Sequence, residues 1–291
     1  MGVSKWWGNS YAEYKMQHSE IFDKFNSTRA FEEDVQMVGF GLANVKTEGA
    51  SISYDDAMQG FIERYTHIVY ALGFIITREM WEDGIAATQS LKKARALKMS
   101  ITQTIETVAA NVLNRAFSAS YTFGDGKELC ATDLPYYSGG TWKNELTTAA
   151  DLSETALEQA LLDIADFKTD RGLQIAVRAQ KLIVPPELEF EAERILGNKS
   201  ARPGTADRDI NAIIQTGSFP QGYTVNNYLT DADAWFIKTD CPDGLKHYER
   251  RATEFSNDSE FDTENMRAKA TFRGSFGVTD KRGIFGSPGA A

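Results

Sequence analysis

Cysteine is almost absent from this sequence: only Cys130 and Cys241 occur among 291 residues. They form neither a CxxC pair nor a zinc spacing, so no disulfide framework is expected and both thiols read as free in a reducing compartment. Histidine is nearly as scarce. His18, His67 and His247 are widely separated, and none stands at a metal-ligand spacing from another His or Cys, which argues against zinc or an iron facial triad. Long apolar runs are missing too. The longest, Ile68 to Ile76, is interrupted by Gly73 and falls well short of the ~20 residues a helix needs to cross a bilayer. The amino terminus, Met1-Gly2-Val3-Ser4-Lys5-Trp6-Trp7, lacks a signal-peptide h-region, and Trp6 stands where a myristoylation motif has Ser or Thr. The chain reads as soluble, with no membrane partner.

Positive charge is also in deficit. With 31 Lys and Arg against 41 Asp and Glu, the net charge is −10. Such a surface lacks the counterion-release term that drives non-specific DNA binding, so a role near DNA would be containment and not grip. Catalytic signatures are absent as well: no GxSxG, no HExxH and no Walker sequence. Gly126-Lys127 is followed by Glu128 and lacks the preceding glycine of a phosphate loop. The alternating Asp258, Glu260, Asp262 and Glu264 suggest a calcium loop, but Phe261 interrupts them and the mid-loop glycine is missing. They read as a hairpin tip or an inter-subunit contact. No catalytic residue, cofactor or metal is expected, and a soluble hydrolase using an acidic pair is a remote alternative.

What is present is mixed α+β, with helices and strands in blocks rather than in regular βαβ alternation. Residues 1–37 hold Trp6, Trp7, Tyr11, Tyr14, Phe22, Phe25 and Phe31, too many rings for a disordered tail. They suit an arm lying on a neighbour and equally this chain's own core. From Gly39 to Ile76 the signals are those of a long β-ribbon. Its polar tip is Lys46 to Ser51, a turn of helix is expected at Asp55 to Met58, and a strand-rich stretch runs from Phe61.

A helix from about Asp83 to Phe117 carries Ile101, Ile105, Val108, Val112 and Ala116 at 3.6-residue spacing, with Lys92, Lys93, Arg95 and Lys98 toward solvent. At ~50 Å it reads as a strut. A second helix starts at the N-cap Ser153, with Leu152 and Leu157 as a hydrophobic staple. A strand is expected over Leu173–Val184, and a third helix over Glu187–Leu196 after Pro185-Pro186. Gly/Pro/Asn/Asp-rich residues 197–222 and short strands over Tyr223–Phe285 follow.

Several segments, in order, resemble the major capsid proteins of tailed double-stranded-DNA phages with the Hong Kong 97-type fold. "EGASISYDDAMQGFIERYTHIVYALGFIITREMWEDG" resembles that family's extended E-loop running into its spine helix, and "ANVLNRAFSASYTFGDGKELCATDLPY" the end of that helix. "ADLSETALEQALLDI", "LIVPPELEFEAERIL" and "VNNYLTDADAWFIKTD" resemble successive pieces of the A domain, and "SEFDTENMRAKATFRGSFGVTDKRGIFGSPGA" the P-loop strands and C-terminal closure. The likeness runs collinearly from about Val38, while residues 1–37 match by role only.

The resemblance implies an N-arm (1–37), E-loop (38–76), P domain with spine helix (77–122), A domain (123–245), P-domain strands and P-loop (246–273) and C-terminal closure onto the A domain (274–291). It implies pentamers and hexamers closing into an icosahedral virion capsid, assembled in the host cytoplasm around DNA bound without sequence specificity. A portal, a separate scaffolding protein and a cement or decoration protein are the implied helpers. Trp6, Trp7, Lys46, Tyr54, Arg64, Asp258 and Asp262 are the candidate inter-subunit contacts. Some members join an E-loop lysine covalently to a neighbour's P-loop asparagine. Lys46 with Asn257 or Asn265 would correspond, but lone Lys and Asn residues at loop tips are ordinary and no cross-link is expected. An encapsulin-like nanocompartment shell shares the fold and is the alternative.

Overall fold

The computed structural model describes residues 16–83, 86–197 and 211–290. In chain order it contains β1 (Asp23–Asn26), β2 (Phe31–Val38), β3 (Met58–Thr66), β4 (Ile68–Ile76), α1 (Arg78–Glu82) and α2 (Ala86–Asn114). Then come β5 (Leu134–Pro135), β6 (Thr141–Trp142), α3 (Glu154–Ala165), β7 (Ala179–Val184), α4 (Glu189–Leu196) and α5 (Ala212–Thr216). The chain ends with β8 (Tyr223–Val225), β9 (Trp235–Thr239), β10 (Leu245–Ser259), β11 (Met266–Val278) and β12 (Ile284–Ser287). Two compact units result. The first combines Met1–Glu32, Tyr65–Ala110 and His247–Phe276, and the second Glu33–Arg64, Asn111–Lys246 and Gly277–Ala291.

The first unit is a four-stranded sheet, ordered β1-β10-β11-β4, with most of α2. β4 runs antiparallel to β11, from Met266 opposite Ile76 to Gly274 opposite Ile68. Period-2 alternation puts Tyr70 and Phe74 on the face that packs with Leu97, Ile101 and Ile105 of α2 and with Ala270 and Phe272 of β11. Val69 and Ile75, on the other face, stay exposed. The buried stripe of α2 is Ala94, Leu97, Ile101, Ile105, Ala109 and Leu113. Val108 and Val112, expected within it, are only half-buried. Lys98, expected in solvent, is buried, and the Lys93 ammonium donates to the Ile75 carbonyl at 3.2 Å. The long alkyl stem of lysine lets it lie along apolar surface.

The second unit is built on the sheet β12-β9-β7-β8, in which β7 and β8 are parallel and the other pairs antiparallel. Leu157, Ala160 and Ile164 of α3, Leu182 and Val184 of β7, Trp235 and Ile237 of β9 and Phe285 of β12 fill one core. Ser153 caps α3 by accepting from the Ala156 N–H at 3.2 Å, and Leu152 and Leu157 are both buried, as the staple requires. Asn144, fully buried, accepts from the Ala131 N–H and donates to the carbonyls of Leu129, Lys281 and Ile284. One side chain thereby fastens the 129–131 loop and the C-terminal strand.

Several expectations need correcting. The outer ribbon strand is β2, not a run beginning at Gly39, and residues 39–57 hold neither strand nor the helical turn expected at Asp55–Met58. The apolar stretch 61–76 splits at His67 into β3 and β4, which serve different sheets. The long helix is shorter at both described ends, a separate α1 preceding it, and the strand expected from Leu173 starts at Ala179. Within the arm, Ile21 and Phe22 are core residues of the first unit, and β1 pairs with β10. Trp6, Trp7, Tyr11 and Tyr14 lie outside the described residues.

Candidate assembly surface

The β2–β3 ribbon exposes a run of large apolar groups. Every residue from 39 to 56 is exposed, among them Phe40, Leu42, Val45, Ile52 and Tyr54, with Val45 and Tyr54 each 95% exposed. Met37, Met58 and Ile62 extend the patch along the strands. Water opposes so many large apolar groups in one protrusion, and such patches mark interaction surfaces.

The ribbon is nevertheless firmly rooted. At the base of its loop, Asp55 accepts from the Gly41 N–H at 2.8 Å and from Arg171 at 2.7 Å, while Arg171 also donates to the Asp56 carbonyl at 2.5 Å. The Gly41 N–H, with Arg171 adding to it, holds the Asp55 carboxyl below the usual range. On β2, Asp34 accepts from Lys246 and, at 2.7 Å, from Thr279.

On β3, Glu63 accepts from the Gly124 N–H at 2.6 Å. A Cβ at Gly124 would lie 2.1 Å from the Ile62 carbonyl oxygen, so only glycine lets the two backbones meet. Burial pushes Glu63 up to about 7, against the pull of that N–H and of Lys281. Burial also raises Glu145 to about 7, with the Glu128 charge adding to it. A cavity bordered by Glu63, Asp125, Asp170 and Lys281 encloses only about 20 Å³, room for roughly one water and not for a substrate.

In the first unit, the β10–β11 hairpin closes with the Glu260 N–H donating to the Asn265 carbonyl at 2.9 Å and leaves Phe261 95% exposed. A groove of about 580 Å³ beside β4 is lined by Phe74, Ile75, Asn257, Asp258, Arg267 and Lys269. The alternating carboxylates do not converge: Glu260 pairs with Arg267 and Glu264 with Arg78. Among the described residues no group of three or more His, Cys, Asp or Glu is placed to hold a metal ion.

The structure therefore places the predicted contacts in two groups. Lys46 and Tyr54 stand exposed in the ribbon loop, and Arg64, on β3, is exposed and faces Glu33 at 4.0 Å. Asp258 and Asp262 are exposed on the hairpin. Trp6 and Trp7 lie outside the described residues. Sequence reasoning missed the anchors Asp34, Glu63, Arg171 and Lys246. The pairs that anchor the ribbon join residues 61 to 245 apart, and no local pattern marks such pairs.

The fold matches solved structures along nearly its whole length. One is the capsid of an empty GTA particle, 15% identical, with TM-score 0.56 over 95% of this chain and 90% of that one. A second comes from Mycobacterium phage Che8, 13% identical, with TM-score 0.52 over 94% and 90%. A third is the holo-SrpI encapsulin complex from Synechococcus elongatus PCC 7942, 8% identical, with TM-score 0.55 over 96% and 89%. No curated protein sequence matches the chain.

These likenesses define the fold: it is of the Hong Kong 97 type. A family model described as phage capsid protein matches residues 62–286, and the chain belongs to that family. It is a major capsid protein, and its role is structural.

Proposed function

We propose that the chain closes into an icosahedral shell of pentamers and hexamers around the genome of a tailed double-stranded-DNA phage. The observation that carries this is the ribbon loop, whose apolar residues are exposed while its base is locked by Asp55 and Arg171. A protrusion held in place and unburied within its own chain gains its stability against other subunits. The net charge of −10 suits a container that does not grip its polyanionic content.

Assembly in the host cytoplasm, a portal and a separate scaffolding protein belong to the same reading, with a cement protein as an optional addition. Negative-stain microscopy of the full chain, expressed alone and with its neighbouring genes, tests it. Closed shells or capsomers are expected, and a strictly monomeric chain under every condition overturns it.

An encapsulin-like compartment is the second reading, favoured by the likeness to the SrpI encapsulin complex. A cargo enzyme inside purified shells would select it, and packaged DNA would select the phage capsid.

A further inference from the structure

All three histidines of the chain are buried in the first unit, and together they fasten the segment from His18 to Ser27. At its start, the His18 backbone N–H donates to Glu106 Oε2 at 3.0 Å, and its Nδ1 lies 2.8 Å from Oε1. An ionised carboxylate only accepts, so Nδ1–H is the donor. The His18 ring stands edge-on to those of His247 and Phe276, at 5.4 and 5.6 Å between centroids. His247 lies flat on Phe276, 4.1 Å away and 10° from parallel, and Phe22 meets the same ring edge-on at 5.3 Å. The His247 Nε2 is buried and has no hydrogen-bond partner among the described residues.

At the other end, His67 bridges Ser27 and Ser275, each at 3.0 Å. Ser27 Oγ also lies 2.7 Å from the Glu32 carboxylate, and that contact fixes the direction of the chain. The Ser27 hydroxyl donates to Glu32, His67 Nε2–H donates to Ser27, and the Ser275 hydroxyl donates to Nδ1. This wiring needs a neutral ring. Between these two ends, β1 lies at the edge of the sheet and, among the described strands, pairs with β10 alone.

We propose that residues 18–27 form an acid-released strap, held down by neutral His247 and His67 and detached from its own unit when these two rings take up protons. An added proton on His247 would leave a buried cation with an unpaired N–H in an aromatic setting. His18 on the strap and the Lys24 ammonium on β1 face it and disfavour a further positive charge, and Glu106 on α2 is already engaged by His18. Burial foremost, with His18 and Lys24 adding to it, holds His247 down to about 3.

Burial likewise holds His67 below its usual range, with Arg273 of β11 and Arg250 of β10 adding to it and Glu32 of β2 opposing. Protonating His67 also reverses the Ser275 hydrogen bond. Lys24 is tied to Glu249 of β10 at 2.8 Å, a surface pair that cannot hold the strap by itself. Between about 3 in the closed state and a ceiling of 6.5 for a fully freed ring, His247 alone favours opening at most about thirty-fold more at pH 5 than at pH 7.5.

Hydrogen exchange of the full-length chain at pH 7.5, 6 and 5, corrected for intrinsic rates, tests the strap. Peptides covering residues 18–27 should lose tenfold or more of their protection by pH 5, while those from 97–109 and 268–274 keep theirs. In the double variant His247→Phe, His67→Gln the loss should disappear. Unchanged protection of 18–27 in the wild-type chain, a uniform loss across the first unit, or an equal local loss in the variant overturns the proposal. If the variant does not fold, the wild-type profile decides alone, because it separates a local opening from none and from a global one.

Discussion

The Lys281 ammonium meets both carboxylate oxygens of Asp125, at 2.6 and 2.7 Å, with both side chains under a tenth exposed. The carbonyls of Lys127 and Glu128 complete its shell at 3.0 and 2.7 Å. Burial lowers the Lys281 pKa and the Asp125 pair opposes that shift. Removing one partner of such a pair strands a charge, so Asp125→Ala should cost about 3–5 kcal/mol of stability. Urea unfolding of the variant measures it. The double change Asp125→Leu, Lys281→Met should recover most of the loss, because no bare charge is left.

Glu63 gives a pH prediction of definite sign. Its carboxyl titrates near 7 in the fold and near 4.5 when unfolded, so the folded state binds more protons between those values. Stability therefore falls as pH rises through that window. Glu63→Gln keeps an acceptor for the Gly124 N–H and carries no charge. Relative to this variant, the wild-type protein should lose about 1–2 kcal/mol between pH 5 and pH 8, allowing for water at the partly exposed carboxyl. Parallel denaturant titrations at the two pH values read the difference, and an identical change in both proteins rules the cause out.

Local patterns made part of this architecture readable. Leu157 and Ile164 sit at helical spacing behind a serine cap, and both are buried as that pattern demands. Ile101 and Ile105 likewise mark the buried face of α2. The ribbon was legible as a protrusion but not in register, because Phe31–Val38 looks no more strand-like than the run after Gly39 until its pairing with β3 is known. Asp34, Glu63 and Arg171 were invisible as anchors: acidic and basic residues are ordinary in sequence, and only tertiary pairing gives these their role. Lys46 and Tyr54 were legible as exposed tip residues because a polar, glycine-containing turn has no core to enter.

The strut and the strap should respond differently to substitution. Ile105 is 4% exposed against Phe272 and Ala270 of the sheet, and Ile105→Asp would place an unpaired charge there. No cooperative folding of the first unit is expected, as circular dichroism on heating would show. Phe22 is equally buried but contacts the unit from its edge strap. Phe22→Ala should cost about 3–5 kcal/mol and leave a folded chain. Deletion of residues 1–25 should destabilise the isolated subunit for the same reason. A deletion variant as stable as the parent would mean that the strap packing contributes nothing.

The ribbon loop offers a separation of folding from assembly. Val45 and Tyr54 are almost fully exposed, so replacing them by serine removes no contact of the isolated chain, and its unfolding midpoint should stay within about 0.5 kcal/mol of the parent. If the loop is an inter-subunit contact, the Val45→Ser, Tyr54→Ser chain should lose shell formation tenfold or more in sedimentation and microscopy. Arg171→Ala acts one step back: it frees Asp55 and the Asp56 carbonyl, loosening the loop base while leaving the apolar tip intact. Its assembly defect should therefore be smaller and should shrink at high subunit concentration, because a loose loop pays only an ordering cost on docking. A serine variant that assembles normally would remove the loop from the contact surface, whatever the fold.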